Sequence, residues 1–223
     1  MISTSSPETM FNFLALIGWS LDDKTEIMSR QELVKNFSLG RIGKTGAIFN
    51  RDKLDWMNGL YIRNLSPEDF VQRALPFLER DLPSEVKRPL DIDYVRQIMP
   101  LIQERTKTLA EVPGLTGFFF VDAFDYKTNP PVGKHMDAVA AAKALEAARQ
   151  KLEPLPSFDE ESLEVVLRPL AEELGLKTGQ LFGTMRVAVT GQTVAPPLFQ
   201  TMAVLDKERC LKRIEAALNS LRG

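Results

Sequence analysis

Apolar positions recur along this chain at helical rather than strand spacing. The densest pattern lies in Phe49–Arg63, FNRDKLDWMNGLYIR, where Leu54, Met57 and Tyr61 fall at i, i+3 and i+7 and Leu60 widens the face. Asn50 precedes the stripe as an N-cap, able to accept a bond from a first-turn amide. Arg51, Lys53 and Arg63 stay off the apolar face. Asn58-Gly59 interrupts the pattern at a cost of about 1 kcal/mol relative to alanine. Such a glycine implies either a bend or the close approach of another backbone.

The remaining segments read the same way. Glu8–Trp19 predicts a buried apolar helix stopped by Gly18, and Asp22-Asp23 a turn. Ser29 and Glu32 form a capping box, which opens a helix through Phe37. Ser38–Ala47 is a Gly- and Lys-rich loop. Ser66-Pro67-Glu68-Asp69 starts a helix to about Leu78, with proline in the first turn and acids at the positive helix end. Asp91 begins another, with Val95, Ile98, Leu101 and Ile102 on one side, Pro100 within it and Arg105 near its end. Thr108–Val112 adds one turn.

Phe118–Val121 is the one run with strand character. It lacks a partner strand and is read as a buried helical segment. Alanine-rich Asp137–Leu152 is helical. A second capping box at Ser157–Glu160 opens a helix that ends at Gly175. Gly179–Thr190, closed by Gly191, then Pro196–Val204, then a last helix from Asp206 with Leu211, Ile214, Leu218 and Leu221 complete the chain. The fold class expected is all-α.

Composition excludes several chemistries. Cys210 is the only cysteine and His135 the only histidine, so a disulfide within the chain and a cysteine-rich zinc site are excluded, and Ser-His-Asp or Cys-His catalysis is left only if those two lone residues meet. Acid pairs such as Asp22/Asp23 and Asp159/Glu160 sit at turns and helix starts, where the helix dipole explains them. Ser38–Thr45 nearly spells a phosphate-binding loop, but serine stands where glycine is needed and no strand precedes it. No membrane-spanning run or signal peptide is present, and a cytoplasmic location is expected.

Net charge is −2, yet the charges are segregated. Arg30–Arg63 and Leu176–Gly223 each hold seven Lys/Arg against three Asp/Glu, or +4, whereas Leu152–Leu174 holds one against seven, or −6. That distribution fits a polyanion lying across selected faces, and equally a solvated surface. In Gly179–Pro197, GQLFGTMRVAVTGQTVAPP, Arg186 stands alone in apolar surroundings. Its guanidinium suits a guanine O6/N7 edge or a cytosine O2, and equally a protein carboxylate.

Leu14–Ser20 (LALIGWS), FNRDKLDWMNGLYIR, Arg105–Val112 (RTKTLAEV) and Met185–Gly191 (MRVAVTG) resemble, in order and spacing, the C-terminal half of bacterial glutamyl-tRNA synthetase, a class I aminoacyl-tRNA synthetase. The resemblance runs from about Glu8 onward. It implies that residues 1–64 end the stem-contact domain and that 65–117 and 118–223 are two helical anticodon-binding subdomains. Arg105 would then face the last anticodon base and Arg186 the first. Ala195, Pro196 and Leu198 would line the pocket of the first base, Ala195 departing from the polar residue that can occur there. Arg41, Lys44, Arg51, Lys53 and Arg63 would touch tRNA phosphates.

The partner implied is tRNA(Glu), with tRNA(Gln) left open, and neither DNA nor a membrane. The ATP-binding Rossmann domain of the family, with its HIGH-like and KMSKS-like signatures, is expected to lie upstream, so no cofactor is expected here and the chain alone is expected to be inactive. It would be a monomer, or part of a longer chain that carries the catalytic domain. A free-standing helical relative that binds tRNA or another protein is the alternative.

Overall fold

The structure is a computed structural model that describes residues 5–43 and 48–222. Its α-helices are α1 (Pro7–Ala15), α2 (Arg30–Asn36), α3 (Arg51–Arg63), α4 (Pro67–Asp81), α5 (Ile92–Ile98), α6 (Val112–Thr116), α7 (Ala138–Leu152), α8 (Glu160–Glu173), α9 (Thr178–Thr190), α10 (Leu198–Leu205) and α11 (Lys207–Arg222). Short 3-10 turns lie between several of them, and the described residues contain no strand. Phe118-Phe119 lie in one of these turns, buried. The all-α expectation holds. No helix among the described residues is long and apolar enough to cross a membrane.

The chain divides into two compact units that are not consecutive in sequence. Residues 1–82 and 102–114 form the first; 83–101 and 115–223 form the second.

In the first unit α1 packs on α3, and α2 on α1. Phe13, Leu54 and Met57 make one buried cluster, with Met10, Leu16 and Ile27 against it. Trp19, Met28 and Leu33 make a second. Local signals set the ends as expected. Asn50 Oδ1 accepts Lys53 N at 3.0 Å, and Ser29 and Glu32 complete their reciprocal box. α1 is shorter and less buried than its sequence suggests: it ends at Ala15, and Phe11, Leu14 and Ile17 are exposed. Its apolar residues surround the helix, and one neighbouring layer can cover only one side.

Gly59 is completely surrounded, and the second of its two alternatives is realised. An added Cβ would lie 3.6 Å from Lys107 Cα and from Thr106 O, and 3.3 Å from Arg63 Nη1. Those are ordinary contacts apart from the last, which a flexible side-chain end can relieve. Gly59→Ala is therefore expected to be tolerated and to stabilise by up to about 1 kcal/mol through helix propensity. Urea unfolding checks this, and a clear loss of stability would show that the passing backbone needs the bare glycine.

In the second unit α7 is the centre, touching α8, α9 and α11. Ala141, Ala144 and Ala148 are buried with Leu145 and Leu152 along one face, small enough to admit three helices. Leu163, Leu167 and Leu170 of α8 and Leu181, Met185 and Ala188 of α9 fill the same core. α8 begins at Glu160 because Asp159, not Ser157, is its N-cap. The carboxylate accepts Ser162 N at 2.8 Å and is itself bonded by the Ser157 hydroxyl. An anionic cap with a donor behind it is favoured over the neutral serine.

The segment after Asp91 also differs from expectation. α5 ends at Ile98, and Pro100 hands the chain to 3-10 turns, so Arg105 sits on its own turn, Gln103–Arg105. Thr108–Val112 gives a 3-10 turn at Leu109–Glu111. α10 begins at Leu198 rather than Pro196.

Candidate nucleic-acid interface

Arg105 is exposed at the end of its turn, in the first unit. The turn is fastened to the carboxyl end of α3. Gln103 Nε2 donates to the carbonyls of Ile62 and Leu65, both at 3.0 Å. Ile62 lies in the last turn of α3 and Leu65 just past its end, so this amide fastens the turn to the helix end and to the chain leaving it. Arg63 Nη1 reaches Glu104 O at 3.4 Å. One turn earlier, Asn58 is fully buried; its Nδ2 donates to Lys107 O at 2.5 Å and its Oδ1 accepts Ser6 N at 2.8 Å. Thr106 is buried, its hydroxyl bonded to Ile102 O. Arg105 thus projects from backbone held on both sides.

Arg186 is half-buried on α9, in the second unit. Thr190 Oγ1 donates to its carbonyl at 2.7 Å. Gly191 closes the helix at φ +69°, a left-handed conformation that glycine adopts without strain. The Phe124 ring lies where a Cβ of Gly191 would be, 2.9 Å away. Ala195 is half-buried, Pro196 buried, and Leu198 starts α10 with 6% exposure. Phe182 and Phe199 meet edge to face at 5.0 Å, tying α9 to the start of α10.

Behind this helix end lies a polar network that apolar periodicity does not reveal. Arg213 of α11 is buried at 1% exposure. Its Nη1 donates to Val189 O (2.6 Å) and its Nη2 to Phe118 O (2.7 Å) and Val121 O (2.6 Å). Its guanidinium lies over the Phe124 ring at 4.6 Å. Burial pushes its pKa down, since the charged form loses water. Tyr126 Oη donates to Ala188 O at 2.6 Å, and burial pushes that phenol up to about 12. Asn129 Nδ2 donates to Gly191 O at 2.7 Å.

Several cations of the basic stretches have partners inside their own unit, although Arg30, Arg41 and Arg222 stay exposed. Arg213 is internal, Arg209 donates to Phe119 O and the Tyr94 hydroxyl, and Arg222 pairs with Glu146. In the first unit Lys53 pairs with Glu26, Arg41 Nη1 donates to Leu21 O at 2.9 Å, and Arg30 lies over Phe11. Arg51 is exposed, and Lys44 lies outside the described residues. No group of three or more His, Cys, Asp or Glu among the described residues is arranged to hold a metal ion. Cys210 is buried, and burial raises its thiol to about 12.

The all-helical architecture agrees with comparison to known proteins. The family model described as "Anticodon binding domain" matches residues 69–218, and that described as "tRNA synthetases class I (E and Q), catalytic domain" matches residues 3–56. The chain belongs to the anticodon binding domain family. More narrowly, it is similar to glutamate–tRNA ligases, as its four sequence motifs suggest. It is 52% identical over 215 residues to that of Dehalococcoides mccartyi strain CBDB1, covering 96% of this chain and 44% of the relative. It is 50% identical over 216 residues to that of Roseiflexus castenholzii, covering 96% and 43%. The crystal structure of a glutamate tRNA ligase from Elizabethkingia meningosepticum superposes with a TM-score of 0.81 at 26% identity, over 97% of this chain and 42% of that one. The chain therefore spans less than half the length of the curated relatives it matches.

Proposed function

We propose that this chain is the tRNA-reading part of a glutamate–tRNA ligase, with Arg105 and Arg186 contacting anticodon bases. The family match carries the proposal, because it includes both arginines and the 195–198 segment. The geometry supports it. A base-reading guanidinium gains specificity when its backbone is fixed, and both arginines project from pinned backbone. Arg41, Lys44, Arg51, Lys53 and Arg63 would contribute phosphate contacts, which orient the tRNA without reading it.

The ligase reaction, glutamate joined to tRNA at the expense of ATP, belongs to this proposal for the whole protein. A HIGH-like signature needs histidine, and His135 lies outside the residues matched to the catalytic family. ATP would accordingly bind a catalytic domain other than this chain, and ATP–pyrophosphate exchange by this chain alone is expected to be absent.

Arg105→Ala and Arg186→Ala are each expected to weaken binding of tRNA(Glu) by about 1–3 kcal/mol. Neither is expected to change the affinity for a tRNA whose facing base is already altered. Filter binding or fluorescence anisotropy at fixed salt measures this. Uniform weakening across all tRNAs would reduce both arginines to phosphate contacts. Glutamate and glutamine anticodons differ at the last base, the one assigned to Arg105, so the Arg105 variant is also the one expected to narrow any preference between those two tRNAs.

A further inference from the structure

The carboxyl end of α9 is held in an unusual way. A helix leaves its last four carbonyls without intrahelical partners. In α9 the Val187 carbonyl receives Gly191 N (2.8 Å), that of Ala188 the Tyr126 hydroxyl (2.6 Å), and that of Val189 the Arg213 guanidinium (2.6 Å). The last two donors come from different parts of the second unit, one from the segment after Phe118 and one from α11. No described carboxylate pairs with Arg213; its positive charge faces the negative end of the helix dipole and two further carbonyls.

Apolar residues of similar volume commonly serve a core as well as or better than a buried charge. What the guanidinium does, and a methionine could not, is fix the direction of three carbonyls at once. Val189 stands three residues beyond Arg186, and the chain turns at Gly191 toward Ala195 and Pro196.

We propose that Arg213 and Tyr126 are positioning residues for anticodon reading: they set the carboxyl end of α9, and through it Arg186 and the 192–197 segment, in the geometry a first anticodon base requires. The proposal rests on the function proposed above. Neither residue touches the base; each acts through the helix end.

The test uses Tyr126→Phe, which removes one hydroxyl and keeps the ring, and Arg213→Met. Both are compared with the unaltered chain for binding to tRNA(Glu) and to the same tRNA with its first anticodon base replaced. The unaltered chain is expected to prefer the native tRNA by about tenfold or more. Each variant should lower that preference to about threefold or less and leave affinity for the substituted tRNA within about twofold. In an Arg186→Ala background, Tyr126→Phe should cost nothing further, because residues acting through one another are not additive. A merely structural pair would weaken both tRNAs alike, or act independently of Arg186, and either result overturns the inference. If Arg213→Met does not fold, Tyr126→Phe decides. An unaltered chain without preference overturns the proposed function and this inference with it, whereas a preference retained in Tyr126→Phe overturns the inference alone.

Discussion

Replacing Gly133 with alanine is expected to destabilise the second unit by about 3 kcal/mol or more. A Cβ there would collide with the Gln180 carbonyl and lie 2.7 Å from Thr184 Oγ1 and 2.8 Å from Met136 Sδ. The first contact is backbone in the opening turn of α9 and cannot swing aside. Gly133 N also donates to Thr184 Oγ1 at 2.9 Å, so retreat of the loop breaks a buried bond. Gly183 faces the same loop, where an added Cβ would lie 3.8 Å from Gly133 Cα, and a pair of glycines lets two backbones approach. Relief of the clash shifts α9, so weaker anticodon preference should accompany the loss of stability. Urea unfolding and tRNA binding on one preparation check both; a fully stable Gly133→Ala protein would mean that the loop lies elsewhere.

The second large effect is expected at Asn58. Asn58→Leu keeps the approximate volume but strands Ser6 N and Lys107 O, both of which lose a close partner. A buried polar group left unpaired costs about 1–3 kcal/mol. Ser6 is half-buried and Lys107 exposed, so both recover part of their loss from water. The net expectation is about 1–2 kcal/mol from the first unit, measured by urea unfolding. Because Lys107 follows Arg105 by two residues, the variant should also blunt recognition at the last anticodon base. Loss of stability with recognition of that base unchanged would separate Asn58 from the placement of Arg105.

These residues mark where the sequence is readable and where it is not. Helix ends at Asn50, Ser29 and Gly191 were legible because capping is local, settled within four residues of chain. Ser157 misled for the same local reason: two good caps stood two residues apart, and only their mutual hydrogen bond selects Asp159. Arg186 was legible as a lone cation in an apolar helix. Arg213 was not, because periodicity treats arginine as outward-facing. That assumption centred the apolar face of α11 on Leu211, Ile214, Leu218 and Leu221, whereas Cys210, Arg213, Ile214, Ala217 and Leu218 are the buried ones. Asn58 and Gly133 depend on partners 49–52 and 47–51 positions away in sequence, a distance no spacing rule covers. Charge totals overstate the surface because Arg213 is internal and Arg209 half-buried.

The helix from Arg51 to Arg63, which the apolar pattern singles out first, is thus a clamp rather than a reader. Its Asn58, Ile62 and Arg63 hold the turn that carries Arg105. The most direct test of the account is the affinity of this chain for tRNA(Glu) against the same tRNA with a scrambled anticodon, both at about 0.1 M salt, where phosphate attraction is moderated. A preference of about tenfold or more for the intact anticodon is expected. Equal affinities, falling together as salt rises, would show a chain that holds tRNA by its phosphates and reads no base.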